Sequence, residues 1–279
     1  MSLLSVKNLC VSFPTPQGRL NVVDDLSFDL GKERLGIVGE SGSGKSMTGR
    51  AILRLIRPPG RVAGTVSFEG QDLTELNGSQ MRAMRGAKIS MIMQDPRYSL
   101  NPVMTVGTQI EEALRTHERL PKREMKARVR AMLEAVRIND PDRVVRMYAH
   151  ELSGGMGQRV MIAMMLIPRP RLLIADEPTS ALDVSVQGDV LKLIDDLVRD
   201  NGMGLILISH DLPLVARYCD RILVMNAGRV VETCNAADLQ AARHPYTRGL
   251  LSAVPQMHET RDELPVMDRT QWSALGSGT

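Results

Sequence analysis

Eight consecutive residues, Gly39-Glu40-Ser41-Gly42-Ser43-Gly44-Lys45-Ser46, fit the pattern G-x-x-x-x-G-K-[ST] in full. The glycines let the backbone of Gly39, Ser41, Gly42, Ser43 and Gly44 curl until successive N–H groups converge on phosphate oxygens. A short apolar run, residues 35–38, precedes the loop, and a helical pattern follows it. That helix aims its N-terminal dipole at the same anion. Lys45 then reaches the β- and γ-phosphates, and the Ser46 hydroxyl is a ligand for Mg²⁺. A second group, Leu172-Leu173-Ile174-Ala175-Asp176-Glu177, is an apolar strand that runs into two acids. The strand end places Asp176 at the carboxyl edge of a sheet, where ligands bind in open α/β folds. Asp176 is the natural partner of the cation, directly or through water. Glu177 is the candidate general base for water attacking a γ-phosphate. Alone, two acids after a strand suit the dipole of a helix start equally well; the glycine loop upstream tips the reading to chemistry.

A third group makes the pattern specific. Leu152-Ser153-Gly154-Gly155-Met156-Gly157-Gln158-Arg159 lies just upstream of the second. Here the chain resembles the ATP-binding-cassette (ABC) family of ATPases, whose signature reads LSGGQ or, in one branch, LSGGM-x-Q-R. Ser153, Gly154 and Gly155 open a helix with bare N–H groups, a second anion site. The resemblance implies that this segment, with Gln158, completes the nucleotide site of an opposing subunit, so ATP is sandwiched in a dimer. Further landmarks follow by resemblance. Gln94 matches the glutamine that senses Mg²⁺ and water, Ser180-Ala181-Leu182-Asp183 matches the D-loop, and His210 matches the switch histidine that contacts the γ-phosphate. Phe13 stands where the family stacks an aromatic ring on adenine, although a core role suits it too.

Two more segments, Asp95-Pro96-Arg97-Tyr98-Ser99-Leu100-Asn101-Pro102 and His244-Pro245-Tyr246-Thr247-Arg248-Gly249-Leu250-Leu251, resemble the dipeptide, oligopeptide and nickel importer branch. Similarity spans roughly residues 3–256. The implied fold is α/β: a P-loop NTPase cassette with a RecA-like core, an N-terminal antiparallel β subdomain and a helical subdomain near residues 95–155. Residues 1–256 form the expected ATPase domain, and 257–279 a partly flexible C-terminal extension. Gly157 departs from the Arg, Ser or Lys usual in the signature and makes the helix locally more flexible. Ile167-Pro168-Arg169-Pro170 replaces a commoner polar link. No cysteine follows Cys234, so no iron–sulfur cluster is expected.

Composition narrows the alternatives. The 279 residues carry 35 Lys+Arg against 32 Asp+Glu, a net charge of +3 that gives no nucleic-acid footprint. Eight aromatic residues (Trp 1, Tyr 4, Phe 3) are too few for a stacking platform. The longest apolar run, residues 160–167, is far short of the ~20 residues of a spanning helix. The N-terminal residues have no basic stretch followed by an apolar one, so no secretory signal is expected. Three isolated cysteines suit a reducing compartment.

These reactive residues need a scaffold. Residues 3–9, 35–38 and 62–69 read as strands, with a helical pattern over 46–56. Residues 122–137 place Met125, Val129, Met132, Leu133 and Val136 on one stripe, opposite Lys and Arg. Beyond residue 150 helices (153–167, 184–199) alternate with buried strands (172–175, 205–208), and Asn226-Ala227-Gly228 marks a closing hairpin. Such alternation predicts a largely parallel sheet.

Together these features point to the ATPase subunit of an importer for peptides or a related small solute, on the cytoplasmic face of the inner membrane. The resemblance implies a second ATPase chain (a heterodimer, with a homodimer as the alternative), two transmembrane permeases and, indirectly, an extracytoplasmic binding protein. A nickel or metal-chelate importer is the nearest alternative. A soluble ABC ATPase acting on DNA or ribosomes fits less well, because the chain has one loop, one signature and no extended heptad region. Lys45→Ala is expected to abolish tight nucleotide binding in equilibrium titrations; unchanged affinity would overturn the phosphate assignment.

Overall fold

The computed structural model describes residues 2–94 and 99–253. The strands are β1 (Leu4–Thr15), β2 (Gly18–Leu30), β3 (Arg34–Val38), β4 (Arg61–Phe68), β5 (Gln71–Asp72), β6 (Ile89–Ile92), β7 (Leu172–Asp176), β8 (Gly204–Ser209), β9 (Arg221–Asn226) and β10 (Arg229–Asn235). The helices are α1 (Lys45–Ile52), α2 (Gly78–Met84), α3 (Val106–Arg115), α4 (Lys122–Ala135), α5 (Pro141–Val144), α6 (Gly154–Leu166), α7 (Val184–Asp200), α8 (Leu212–Tyr218) and α9 (Pro245–Ser252).

Two sheets carry the architecture. An antiparallel sheet has the order β2-β1-β4-β5, and a larger sheet the order β10-β9-β3-β8-β7-β6. In the larger sheet β9, β3, β8, β7 and β6 pair in parallel, and β10 closes one edge antiparallel. Its inner strands read as continuous apolar runs because both faces are covered. On β7, Leu172 and Ile174 face the core shared with the antiparallel sheet, while Leu173 and Ala175 face the helices. On β8, Ile206 and Ile208 take the first side, and Leu205 and Leu207 the second. The period of two along each strand thus feeds two cores at once.

Residues 99–153 hold α3, α4 and α5 between β6 and α6. On α4 the expected stripe is in place: Met125, Val129, Leu133 and the following Val136 are buried and Met132 is half-buried. The putting together of α6 is different. It is enclosed through Val160, Met161, Ile162 and Ala163, so its apolar surface wraps most of the way round.

Several boundaries differ from the sequence reading. β1 runs on to Thr15 because Val11–Thr15 pairs with the start of β2 in a hairpin. β2 was masked by its acidic residues: Leu26, Phe28 and Leu30 alternate inward, but Asp25 at φ 53 breaks the register toward Val23. α1 stops at Ile52 rather than continuing to Ile56, since Arg54 turns left-handed at φ 53. The Arg54 guanidinium there donates to the carbonyls of Leu73 and Leu76. Residues 95–98 of the branch segment 95–102, and the whole extension 257–279, lie outside the described residues.

One glycine in β3 governs the helix layer. A Cβ on Gly36 would lie 2.1 Å from Val215 Cγ1 and 3.3 Å from Cys219 Sγ, so α8 packs where only hydrogen leaves room. Gly36→Ala is expected to destabilise the fold by roughly 1–3 kcal/mol, as overpacking does. Denaturant unfolding with an unchanged m-value would report it.

Candidate functional site

The parallel strands deliver the predicted residues to one edge. β3 runs into the 39–44 loop, β6 leads to Gln94, β7 ends at Asp176, and His210 follows β8. The loop is built on left-handed glycines: Gly39 at φ 153, Gly42 at φ 83 and Gly44 at φ 99. A Cβ on Gly39 would meet the Met225 carbonyl at 2.1 Å, and one on Gly44 the Val22 carbonyl at 2.3 Å. A Cβ on Gly42 would meet nothing within 4 Å. The loop is therefore pressed against its own fold at both ends, while Gly42 owes its glycine to its positive φ alone.

Lys45 lies almost wholly inside this loop. Its Nζ donates to the carbonyls of Gly39 (2.8 Å) and Glu40 (2.7 Å) and lies 3.4 Å from Ser43 Oγ. Burial pushes its pKa below the usual lysine range, against the pull of the carboxylates of Glu177, Asp176 and Glu40. Ser46 Oγ donates to Asp176 Oδ1 at 2.7 Å, which brings together two oxygen donors suited to a hard cation. Burial raises the Asp176 pKa; the Ser46 hydrogen bond and Arg50 oppose that rise. These residues fit a magnesium nucleotide: a glycine-rich loop at a helix start, a cation for phosphate and an oxygen pair beside them.

Glu177 sits between two partners. Gln94 Nε2 donates to Glu177 Oε2 at 3.2 Å, and His210 Nδ1 is 3.4 Å from Oε1. The Glu177 backbone is left-handed at φ 46, an uncommon conformation for a residue with a side chain. Its N–H donates to the Ile208 carbonyl at 2.9 Å, and its own carbonyl accepts from Ser180 N–H and Oγ. The turn thus projects the carboxylate clear of the sheet edge.

The other expected residues stand apart from this cluster. Ser153 caps α6, accepting from the Met156 N–H at 3.4 Å, and Ser153 and Gly154 are exposed. A Cβ on Gly155 would come within 3.2 Å of Val186 Cγ1, and one on Gly154 within 3.7 Å of Leu182 Cδ2. Among the described residues no hydrogen bond joins Ser153, Gly154 or Gly155 to the 39–46 loop. Gln158 requires a correction. Its side chain is fully buried and donates to the Pro178 carbonyl, so it offers no surface to a nucleotide. The helix turns position 158 inward while 153 and 154 stay outside. Phe13 is half-buried, and a Cβ on Gly60 would lie 2.7 Å from its Cε1 and from Ile56 Cγ2. It therefore packs beside the chain that follows α1.

Tyr246 was missed as a site residue. Its ring is buried, and its Oη accepts the Glu40 N–H at 3.0 Å. His244 caps the same helix by accepting the Tyr246 N–H at 3.2 Å. The segment was visible in sequence, but nothing local to it announces a contact with a loop 206 residues away.

The ABC transporter family model matches residues 23–180, more than half of the chain. The chain belongs to the ABC transporter family. The oligopeptide transport ATP-binding protein OppD of Escherichia coli is 48% identical over 92% of this chain and 77% of its own length. The dipeptide transport ATP-binding protein DppD of Haemophilus influenzae is 49% identical over 95% of this chain and 81% of its own. Among solved structures, the dimeric ABC transporter cassette MJ0796 matches with a TM-score of 0.75 at 25% identity, over 84% of this chain and 98% of that one. This ABC cassette is an ATPase, with the α/β fold its sequence implied.

Burial of Asp176 has a measurable consequence. Its pKa is raised in the fold, so the folded chain keeps a proton that the unfolded chain releases. Stability falls as pH rises through that interval and stays lower at neutral pH. Asp176→Asn cannot ionise, and without nucleotide it is expected to melt higher than the wild type at about pH 7.5. The extra stabilisation by ATP with Mg²⁺ should be lost in the same thermal melts.

Proposed function

We propose that this ABC ATPase powers an importer for short peptides, with Glu177 acting on the water that attacks the γ-phosphate. The observation that carries the hydrolytic part is the Glu177 carboxylate held between Gln94 and His210, one residue beyond the Ser46–Asp176 pair. The cargo follows from the similarity over more than nine-tenths of the chain to subunits named for oligopeptide and dipeptide transport.

In this reading the N–H groups of Ser41, Gly42, Ser43 and Gly44 orient the phosphates, and Lys45 turns its ammonium from the Gly39 and Glu40 carbonyls to phosphate oxygen. Mg²⁺, held by Ser46 and Asp176 with Gln94 nearby, would neutralise phosphate charge. Glu177 takes a proton from water as the oxygen bonds to phosphorus, and the bond to the departing ADP oxygen breaks. His210 and Gln94 fix the carboxylate's direction, and His210 supports the charge on the transferred group. Phe13 supplies an apolar face to the adenine. Positioning and electrostatics supply most of the acceleration, as phosphoryl transfer requires.

The exposed Ser153 and Gly154, with the half-buried Gly155, serve the nucleotide of a second cassette. That cassette is a different ATPase chain in our reading, giving a heterodimer. Two permeases supply the membrane path: among the described residues no helix is long and apolar enough to cross a bilayer. The chain then works at the cytoplasmic face of the inner membrane, and an extracytoplasmic protein delivers the cargo.

Glu177→Gln is expected to keep ATP affinity while lowering kcat by about 10²–10⁴-fold, the span of general-base catalysis. Closed dimers should accumulate with ATP in size-exclusion runs. Near-normal hydrolysis would remove Glu177 from its role, and peptide uptake unaffected by loss of this chain would overturn the transport reading.

A further inference from the structure

Gln158 is fully buried, yet only half of its amide is used. Nε2 donates to the Pro178 carbonyl, while Oε1 is enclosed and has no hydrogen-bond partner among the described residues. The residues that follow on α6, Val160, Met161, Ile162 and Ala163, are core. An orphaned buried acceptor is destabilising, so an apolar side chain of the same length would suit the packing better. The donor half must therefore matter enough to offset that cost.

What the donor holds is the Glu177 turn. A left-handed backbone at a residue with a side chain persists only where its surroundings over-determine it. The turn at Glu177 (φ 46) is tied to the Ile208 carbonyl on β8 and, within itself, to Ser180. Gln158 adds a tie at the next residue, from a helix that belongs to neither.

We infer that Gln158 is a positioning residue for catalysis: its amide fixes the Glu177–Pro178 turn and so aims the Glu177 carboxylate. Gln158 touches no nucleotide. The inference rests on the reading of Glu177 as the base. It also ties the direction of that base to α6, the helix whose exposed N-terminus carries Ser153.

The test uses Gln158→Met in the full chain, since Met matches the length, fills the same space and lacks the donor. Thermal melting is expected to stay at or above the wild-type temperature, and KM for ATP to stay within about two-fold. The expected fall in kcat is about ten-fold or more, because small misplacement of a reacting group is costly. In a Glu177→Gln background the same change should lower the residual single-turnover rate by less than about two-fold, because a residue acting through Glu177 has nothing left to aim. Wild-type kcat in Gln158→Met overturns the inference. So does a loss of kcat that follows a lower melting temperature, or a full further loss in the Glu177→Gln background. If Glu177→Gln itself leaves turnover normal, the base assignment fails and this inference falls with it. If Glu177→Gln is inactive while Gln158→Met is not, only the inference falls.

Discussion

The parallel pairing of β3 with β8, and of β8 with β7, sets where every reactive group lies. Val38 is level with Ser209, and Asp176 with Ile208. The residues that leave these strands, the 39–46 loop, Glu177 and His210, therefore emerge in one row at the carboxyl edge. Chain segments more than a hundred residues apart need no other device to meet. This is why a Ser46–Asp176 hydrogen bond and a Glu177–His210 contact can coexist in one shallow site. Shifting the register of β7 by one residue would turn Asp176 to the opposite face and dissolve both.

The same edge is where the fold gives up stability. Lys45 and Asp176 are each buried enough that burial is the largest influence on their ionisation, in opposite directions. Among the described residues the lysine's close hydrogen-bond partners are two backbone carbonyls and the Ser43 hydroxyl, the aspartate's is one hydroxyl, and neither forms a direct ion pair. Three loop glycines with positive φ and the left-handed Glu177 add conformational cost. Local rules broken together at one place are what a functional site looks like in an otherwise consistent fold. By contrast, the exposed ion pairs of Arg130, with Glu134 on α4 itself and with Asp142 on α5, lie in solvent and carry little.

Most of the cluster was legible because its residues lie in short linear motifs beside apolar strands. The glycine loop needs a strand before it and a helix after it, and both patterns are local. Glu177 was legible for the same reason, since it ends a continuous apolar run. Gln158 was misassigned because a motif names a residue without saying which way a helix turns it. Five positions beyond Ser153, the side chain faces the core instead of solvent. The reach of β1 and the place of β2 were obscured by the broken register at Asp25, where acidic residues hide a period of two. The early end of α1 depends on Arg54, whose guanidinium partners come from a distant turn and leave no trace in the local pattern.

Tyr246 shows how the branch-specific part of the chain bears on the shared part. Its phenol accepts the Glu40 N–H, and the Glu40 carbonyl accepts from Lys45. One peptide unit further back, the Gly39 carbonyl is the second acceptor for the same ammonium. If Lys45 turns toward phosphate as proposed, the Gly39 and Glu40 carbonyls lose its ammonium, but the Glu40 carbonyl keeps the Ser43 N–H (3.2 Å) and the Glu40 N–H keeps its acceptor. Contacts from outside the loop hold the Ser43 carbonyl, through the Gly228 N–H (3.1 Å), and the Glu40 N–H, through the Tyr246 anchor. That anchor comes from α9, a helix after the last strand, outside the parallel sheet that organises everything else. A loop whose left-handed glycines cost conformational freedom needs such a fixed point, and a buried phenol on a capped helix supplies one.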